Sequence, residues 1–220
     1  MAAQITIPSR TPINGQCLID SGAGGFALAA PFVRANRALE SARKTIATSV
    51  SGAGGGSKAL TGRIEGLQLR PYILRRPITI FSQEDTKGLL ASPDVSALIG
   101  GRILSRFTVT LDYPHQRILL EPNTRFGDPF RADGSGLSLP AGGPDYRQFE
   151  IADVEPGSPG AAAGLHERRD VLTEIDGQRA SNLDLNKVET TLRGSGRTVH
   201  LTIDRAGEVS KVSLKLAERI

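Results

Sequence analysis

The sequence predicts a mainly β protein built from two units. Two observations carry that expectation. Short β-rich runs, many of them alternating, recur along the chain between Gly, Pro, Asn and Asp turn signals, and helical patterns are few. The composition then shifts over residues 122–144, where Phe126-Gly127-Asp128-Pro129 and Ala132-Asp133-Gly134-Ser135-Gly136 gather turn formers. The expected division is a first unit at 1–122, a linker at 123–133 and a second unit at 134–220.

In the first unit the strand patterns fall at Gln4–Pro8, Gln16–Ile19, Thr45–Val50, Gly62–Leu69, Pro77–Phe81 and Val109–Leu111, with Arg117–Glu121 as a terminal strand. Helices are expected at Ala30–Glu40 and Gly101–Phe107. Between two strands lies Ser51-Gly52-Ala53-Gly54-Gly55-Gly56-Ser57, a glycine-dense hairpin tip. It lacks the Gly-Lys-Ser/Thr order of a phosphate loop and does not precede a helix.

In the second unit Phe149–Val154 alternates as a strand, and Glu155-Pro156-Gly157 turns. Ser158 and Pro159 supply an N-cap and a first-turn proline for a short helix, Gly160–Gly164. Val171–Ile175 is a strand closed by an Asp176-Gly177 hairpin turn. Ser181 is the expected cap of a helix running to Leu192, with Asp184 three residues on. Gly194–Gly196 stops it, and Thr198–Asp204 with Glu208–Leu216 forms a last hairpin around Ala206-Gly207.

The chain has 220 residues, 39% hydrophobic and 23% charged, ordinary values for a globular protein. The net charge of +4 is uneven: 14 Lys and Arg stand against 8 Asp and Glu in residues 1–122, and 13 against 15 in residues 123–220. Arg70, Arg75, Arg76 and Arg102 are interspersed rather than clustered and aromatics are only 5%, which argues against a nucleic-acid partner. No run of about eighteen apolar residues exists to span a membrane. Met1-Ala2-Ala3 leads straight into Ile5-Thr6-Ile7 without the pattern of a signal peptide. A cytoplasmic location is expected for the chain as it starts, and a periplasmic or secreted one if a leader and a further N-terminal lobe precede it. Cys17 is the single cysteine, set among apolar neighbours as a buried structural thiol. With three scattered histidines it makes no recognisable zinc site, and neither metal nor cofactor is expected.

The most informative stretch is Asp20-Ser21-Gly22-Ala23, directly after the apolar Cys17-Leu18-Ile19. It ends a buried strand on a carboxylate in a sharp turn. Ser21 is placed to hydrogen-bond a neighbouring carboxylate, and Gly22 to admit close backbone approach. Far along the chain, Leu98-Ile99-Gly100 precedes the helical pattern at Gly101 and the strand Val109–Leu111. On these two motifs residues 4–122 resemble the retropepsin-like aspartic proteases, with Ser21 where Thr is more frequent. The resemblance implies a closed β lobe, with the second motif threaded behind the catalytic loop. It makes Asp20, Ser21 and Gly22 the catalytic turn, and Gly52, Gly54, Gly55 and Gly56 the tip of a substrate-covering flap. An aspartic dyad needs two carboxylates about 3 Å apart sharing one proton. No second Asp-Ser/Thr-Gly occurs in the chain, so the partner lobe must come from a homodimer or from a further lobe in cis.

Residues 134–218 resemble a PDZ domain of the bacterial type. The resemblance rests on Val154-Glu155-Pro156-Gly157-Ser158-Pro159-Gly160-Ala161-Ala162-Ala163-Gly164-Leu165 and Asp170-Val171-Leu172-Thr173-Glu174-Ile175-Asp176-Gly177. It implies a partly open β-barrel with two helices that takes a peptide as an added strand, the peptide terminus held by backbone N–H groups. Ser135, Gly136, Leu137 and Leu139 lie where that loop belongs, and Leu185, Glu189 and Leu192 share a helix face expected to line the groove or to serve as core. Taken together, these resemblances imply an endopeptidase lobe acting on peptide or protein substrates, joined to a peptide-binding unit. The competing class is a protease-like protein without activity that works through its PDZ domain. A serine hydrolase is disfavoured: His115, His166 and His200 lie near no Gly-x-Ser-x-Gly elbow, and Asp112 reads as a turn residue.

Overall fold

Ala3 and Ile5 in the first strand and Ile7 just past its end are buried, with Gln4 and Thr6 between them half-buried. That period of two sets the sheet of the first unit on its core. The structure is a computed structural model that describes residues 1–52, 55–83 and 88–220. Two compact units divide between Phe130 and Arg131, with Ile220 counted in the first.

The first unit contains β1 (Ala2–Thr6), β2 (Ile13–Ile19), β3 (Phe26–Leu28), α1 (Ala30–Ala35), β4 (Ile46–Gly52) and β5 (Gly55–Arg63). There follow β6 (Gly66–Leu69), β7 (Tyr72–Arg75), β8 (Ile78–Ser82), β9 (Ala97–Ile99), α2 (Gly101–Leu104), β10 (Phe107–Asp112) and β11 (Arg117–Pro122). Nine strands run in the order β4-β5-β8-β3-β9-β2-β1-β6-β7. The path has two ends, so among the described residues the expected closed lobe is an open sheet. Its core gathers Ile5, Phe26, Leu28, Leu67, Phe81, Ile99 and Ile103, each at most 1% exposed. The run expected as one strand over Gly62–Leu69 is broken at Ile64-Glu65, where Glu65 N–H turns to the Thr6 carbonyl at 2.9 Å. Both helices end early. In α1, Asn36 bonds back to the Phe32 carbonyl through its side chain, and Arg37 is left-handed at φ 48°. β10 and β11 form a separate two-stranded sheet in which Phe107, Val109 and Leu111 face Pro122, Leu120 and Ile118. The outer edge of β11 is unpaired among the described residues, and Leu111 is 51% exposed.

The stretch expected as a linker is in part bound to this unit. Phe126 and Phe130 pack against its core, and Phe126 meets Tyr72 and Phe107 ring to ring at 5.8 and 5.4 Å. Arg106, only 7% exposed, donates to the carbonyls of Arg125 (3.1 Å), Phe126 (3.2 Å) and Asp128, and its guanidinium lies 3.6 Å from the Phe130 ring centroid. Each bond from a buried charged donor contributes about 1.5–3 kcal/mol. Arg106→Met keeps the stem and removes the fork, so it is expected to cost about 3 kcal/mol and to open residues 123–130 to limited proteolysis. Unchanged cleavage there would contradict the clamp.

The second unit contains β12 (Leu137–Ser138), β13 (Ala141–Gly142), β14 (Gln148–Glu150), β15 (Asp153–Val154), α3 (Pro159–Ala162) and β16 (Asp170–Ile175). β17 (Gln178–Arg179), α4 (Leu185–Leu192), β18 (Thr198–Arg205) and β19 (Glu208–Lys215) complete it. The main sheet runs β13-β14-β16-β18-β19, with β17 on β16, while β12 pairs with β15 alone. The turn at Asp176 and Gly177 has φ 48° and 77°, the left-handed pair that a two-residue hairpin requires. Ser158 caps α3, its oxygen accepting from Ala161 N–H at 3.2 Å. The cap of α4 is Asp184, accepting from Lys187 N–H at 2.7 Å, and not Ser181: Ala180–Asn182 form a separate 3-10 turn and Leu183 is extended before the helix begins.

Asp170 is fully buried and locks this unit. Arg205 grips both its oxygens at 2.6 and 2.9 Å, and His166 N–H donates at 2.8 Å. The Arg205 fork, above all, holds the Asp170 carboxyl below its ordinary range, the His166 bond adding to it against the upward push of burial. A depressed carboxylate contributes its stability above the unfolded value of about 3.9 and loses it as pH falls through the folded value. Asp170→Asn is expected to cost about 2 kcal/mol at neutral pH, because it strips the charge from a pair whose arginine end still meets solvent. It should also flatten the acid limb of stability measured by urea melts below about pH 4. An unaltered acid limb would rule Asp170 out as its source.

Candidate functional site

β2 and β3 flank β9. β2 runs parallel to it, with Cys17, Leu18 and Ile19 opposite Ala97, Leu98 and Ile99, and β3 runs antiparallel, with Phe26 opposite Ile99. Residues 20–25 therefore cross over the end of β9 to join one flank to the other, with Asp20 at the first step. The crossing is fastened from below. Asp20 N–H donates to the Ile99 carbonyl at 3.0 Å, Gly101 N–H to the Ala23 carbonyl at 2.7 Å and Arg102 N–H to the Gly24 carbonyl at 3.0 Å. The last two satisfy donors that the first turn of α2 leaves open.

Gly100 is the residue this crossing demands. A Cβ there would collide with the carbonyl oxygens of Ala23 and Gly25 and sit 2.9 Å from the Ala23 carbonyl carbon. Gly22, expected as the close-approach glycine, meets only Asp20 Oδ1, at 3.3 Å from an added Cβ. Its role is different: its N–H donates to Asp20 Oδ1 at 2.9 Å, an Asx-type turn that fixes the carboxylate at the mouth of the loop. Asp20 is half-buried and Ser21 exposed, and one oxygen of the Asp20 carboxylate is held by its own turn.

The expected flap falls on β4 and β5, which pair antiparallel up to Ser51 opposite Gly56 and Gly52 opposite Gly55. Gly54 lies outside the described residues. Cys17 is 4% exposed, and burial pushes its thiol up to about 11, which suits a structural and not a nucleophilic cysteine. Asp112 closes the β10–β11 hairpin: it accepts from Arg117 Nε at 2.7 Å and lies 2.8 Å from His115 Nδ1, and these bonds, His115 first, hold it below the ordinary carboxylate range. His200 Nδ1 lies 3.1 Å from Ser213 Oγ, yet the nearby Asp176 carboxylate accepts from the His200 backbone N–H and not from the ring, so the three make no triad. Among the described residues no group of three or more His, Cys, Asp or Glu is placed to hold a metal ion, and no helix is long and apolar enough to cross a membrane.

In the second unit the expected peptide site is corrected at Leu192, at Leu139 and at the N–H groups of Ser135 and Gly136. Leu192 is 3% exposed and, with Val188, belongs to the core, while Glu189 is exposed and paired with Arg193. Leu139 is 8% exposed and also core, so of the expected lining only Leu137 and Leu185 stay half-buried beside it. The N–H groups of Ser135 and Gly136 do not stand open. Both donate to Asp133, at 3.2 and 2.7 Å, and Leu137 N–H donates to Ser135 Oγ at 3.1 Å. Asp133 had no part in the expected site; Asp133-Gly134-Ser135 is an Asx-turn pattern that would have signalled it.

Residues 128–204 match the family model for the PDZ domain, so the chain carries a PDZ domain there. Among solved structures, a retropepsin-like aspartic protease from Rickettsia conorii is similar at 16% identity over 55% of this chain and 79% of that one, with a TM-score of 0.36. The HtrA-type protease AlgW with decapeptide is similar at 13% identity over 81% and 61%, TM-score 0.41. The photosystem II D1 C-terminal processing protease is similar at 23% identity over 40% and 23%, TM-score 0.35. This chain spans less than two thirds of the length of the last two, and at these scores the likeness carries no functional inference.

Proposed function

We propose that residues 1–130 form one lobe of an aspartic endopeptidase and that the PDZ domain following it in the chain binds peptide or partner protein. The observation that carries the reading is the Asp20 turn drawn over β9 and sealed by Gly100. That arrangement delivers one half-buried carboxylate on a loop whose backbone is fastened at three points. A second such carboxylate, from another copy of the lobe or from a further lobe in cis, would complete a dyad. One Asp then takes a proton from water as it attacks, and the other donates a hydrogen bond to the scissile carbonyl. The open edge of β11 and the exposed Leu111 suit a surface that a second lobe covers. The β4–β5 hairpin supplies the flap in this reading, with Gly52, Gly55 and Gly56 beside its tip.

The test is the pH profile of peptide hydrolysis by the assembled protein, followed against protein concentration. A dyad sharing one proton fails when both carboxylates are ionised and when both are protonated, so the profile should be bell-shaped with an acidic to weakly acidic optimum. A rate that climbs into alkaline pH would point to different chemistry. A second reading, a binding protein without activity, is favoured by the single Asp-Ser-Gly turn in the chain. It predicts no hydrolysis at any pH or concentration, with peptide binding intact.

A further inference from the structure

The loop ahead of β12 already holds a carboxylate, and it is the chain's own. Asp133 Oδ1 accepts from Ser135 N–H at 3.2 Å and Ser135 Oγ at 2.6 Å, and Oδ2 accepts from Gly136 N–H at 2.7 Å. Ser135 Oγ in turn accepts from Leu137 N–H at 3.1 Å. Three successive backbone donors are thereby committed inside the loop. The arrangement is built in: Ser135 is fully buried, and Gly136 sits at φ 77° where an added Cβ would collide with Ser158. Arg219, 8% exposed, bonds Asp133 Oδ2 at 2.9 Å and pairs with Glu155. Two carboxylates against one guanidinium leave this corner with a formal charge of −1.

We propose that this PDZ domain binds an extended peptide segment whose backbone continues past the loop, and does not require a free α-carboxylate. The proposal rests on the reading of the PDZ groove as a peptide site and deepens it. The groove side is present: β12 has an unpaired edge among the described residues, and Leu137 and Leu185 stay half-buried on the apolar cluster. A segment added there gains main-chain hydrogen bonds and apolar contacts whatever its end. A terminal carboxylate gains nothing further. To reach the Ser135 and Gly136 N–H groups it must displace Asp133, and it approaches a site already negative. A neutral or basic side chain suits that position on the peptide.

The experiment is selection against the full chain from two random-peptide libraries, one displayed with a free C-terminus and one followed by a constant Gly-Ser tail. Selected sequences are then measured as free acid and as C-terminal amide by fluorescence anisotropy. The expected result is enrichment from the tailed library and an acid-to-amide preference within about threefold, where an open loop donating to a carboxylate would give about tenfold or more. A preference for the acid beyond about threefold, or enrichment from the free-terminus library alone, overturns the proposal while leaving peptide binding in place. No enrichment from either library overturns the peptide-groove reading along with it. Asp133→Asn keeps an acceptor for Ser135 and removes the charge, so in a variant shown to be folded by its melting transition the acid should gain on the amide. An unchanged ratio there contradicts the part assigned to Asp133.

Discussion

Gly100→Ala is expected to be the most damaging single-methyl change in the first unit. The added Cβ meets two backbone carbonyl oxygens, those of Ala23 and Gly25, and no flexible side chain that could swing aside. To relieve the clash the crossing loop must lift off β9, and doing so breaks the bonds from Asp20 N–H to Ile99 and from Gly101 N–H to Ala23. Overpacking against rigid neighbours costs on the order of 3 kcal/mol, which for a unit of this size lowers the melting midpoint by roughly 10 °C. The control is one residue away. At Gly101 an added Cβ sits 3.5 Å from the Ala23 carbonyl oxygen, ordinary contact, so Gly101→Ala should leave the transition within about 0.5 kcal/mol of the parent. Equal effects at the two positions would refute the account of the crossing.

That crossing was the most legible part of the site. A carboxylate turn after an apolar strand, and two apolar residues before a glycine, are short local patterns whose chemistry survives without knowledge of the fold. The glycine that matters was nevertheless misplaced at Gly22, because close approach is a property of two segments far apart in sequence. Caps and hairpin turns were legible for the same local reason: Ser158 with Pro159, and Asp176 with Gly177. The start of α4 was not, since Ser181 and Asp184 both suit a cap, and the burial of Leu183 at 8% exposure favours the later one. β3 and β7 are too short to show a period in the sequence. The division between Phe130 and Arg131 falls within the expected linker 123–133, but the attachment of residues 123–130 to the first unit was not legible, because Phe126, Phe130 and the reach of Arg106 are long-range contacts hidden in a turn-rich stretch. At Leu192 the sequence left groove and core open, because helix spacing cannot tell a lining face from a core face, and its burial makes it core.

The proposed dyad stands or falls on Asp20. Asn at that position keeps the shape of the turn and an oxygen to accept from Gly22 N–H, so the fold should be untouched, yet it can neither take a proton from water nor share one with a partner carboxylate. The most direct measurement is therefore peptide hydrolysis by the assembled protein across the acidic range where the proposed dyad would act, parent against Asp20→Asn, with the melting transition recorded for both. The expected result is an unchanged transition and a loss of rate of at least about a thousandfold, as for removal of a general base that is also half of a proton-sharing pair. Hydrolysis by a folded Asp20→Asn protein at the parent rate would contradict the assignment.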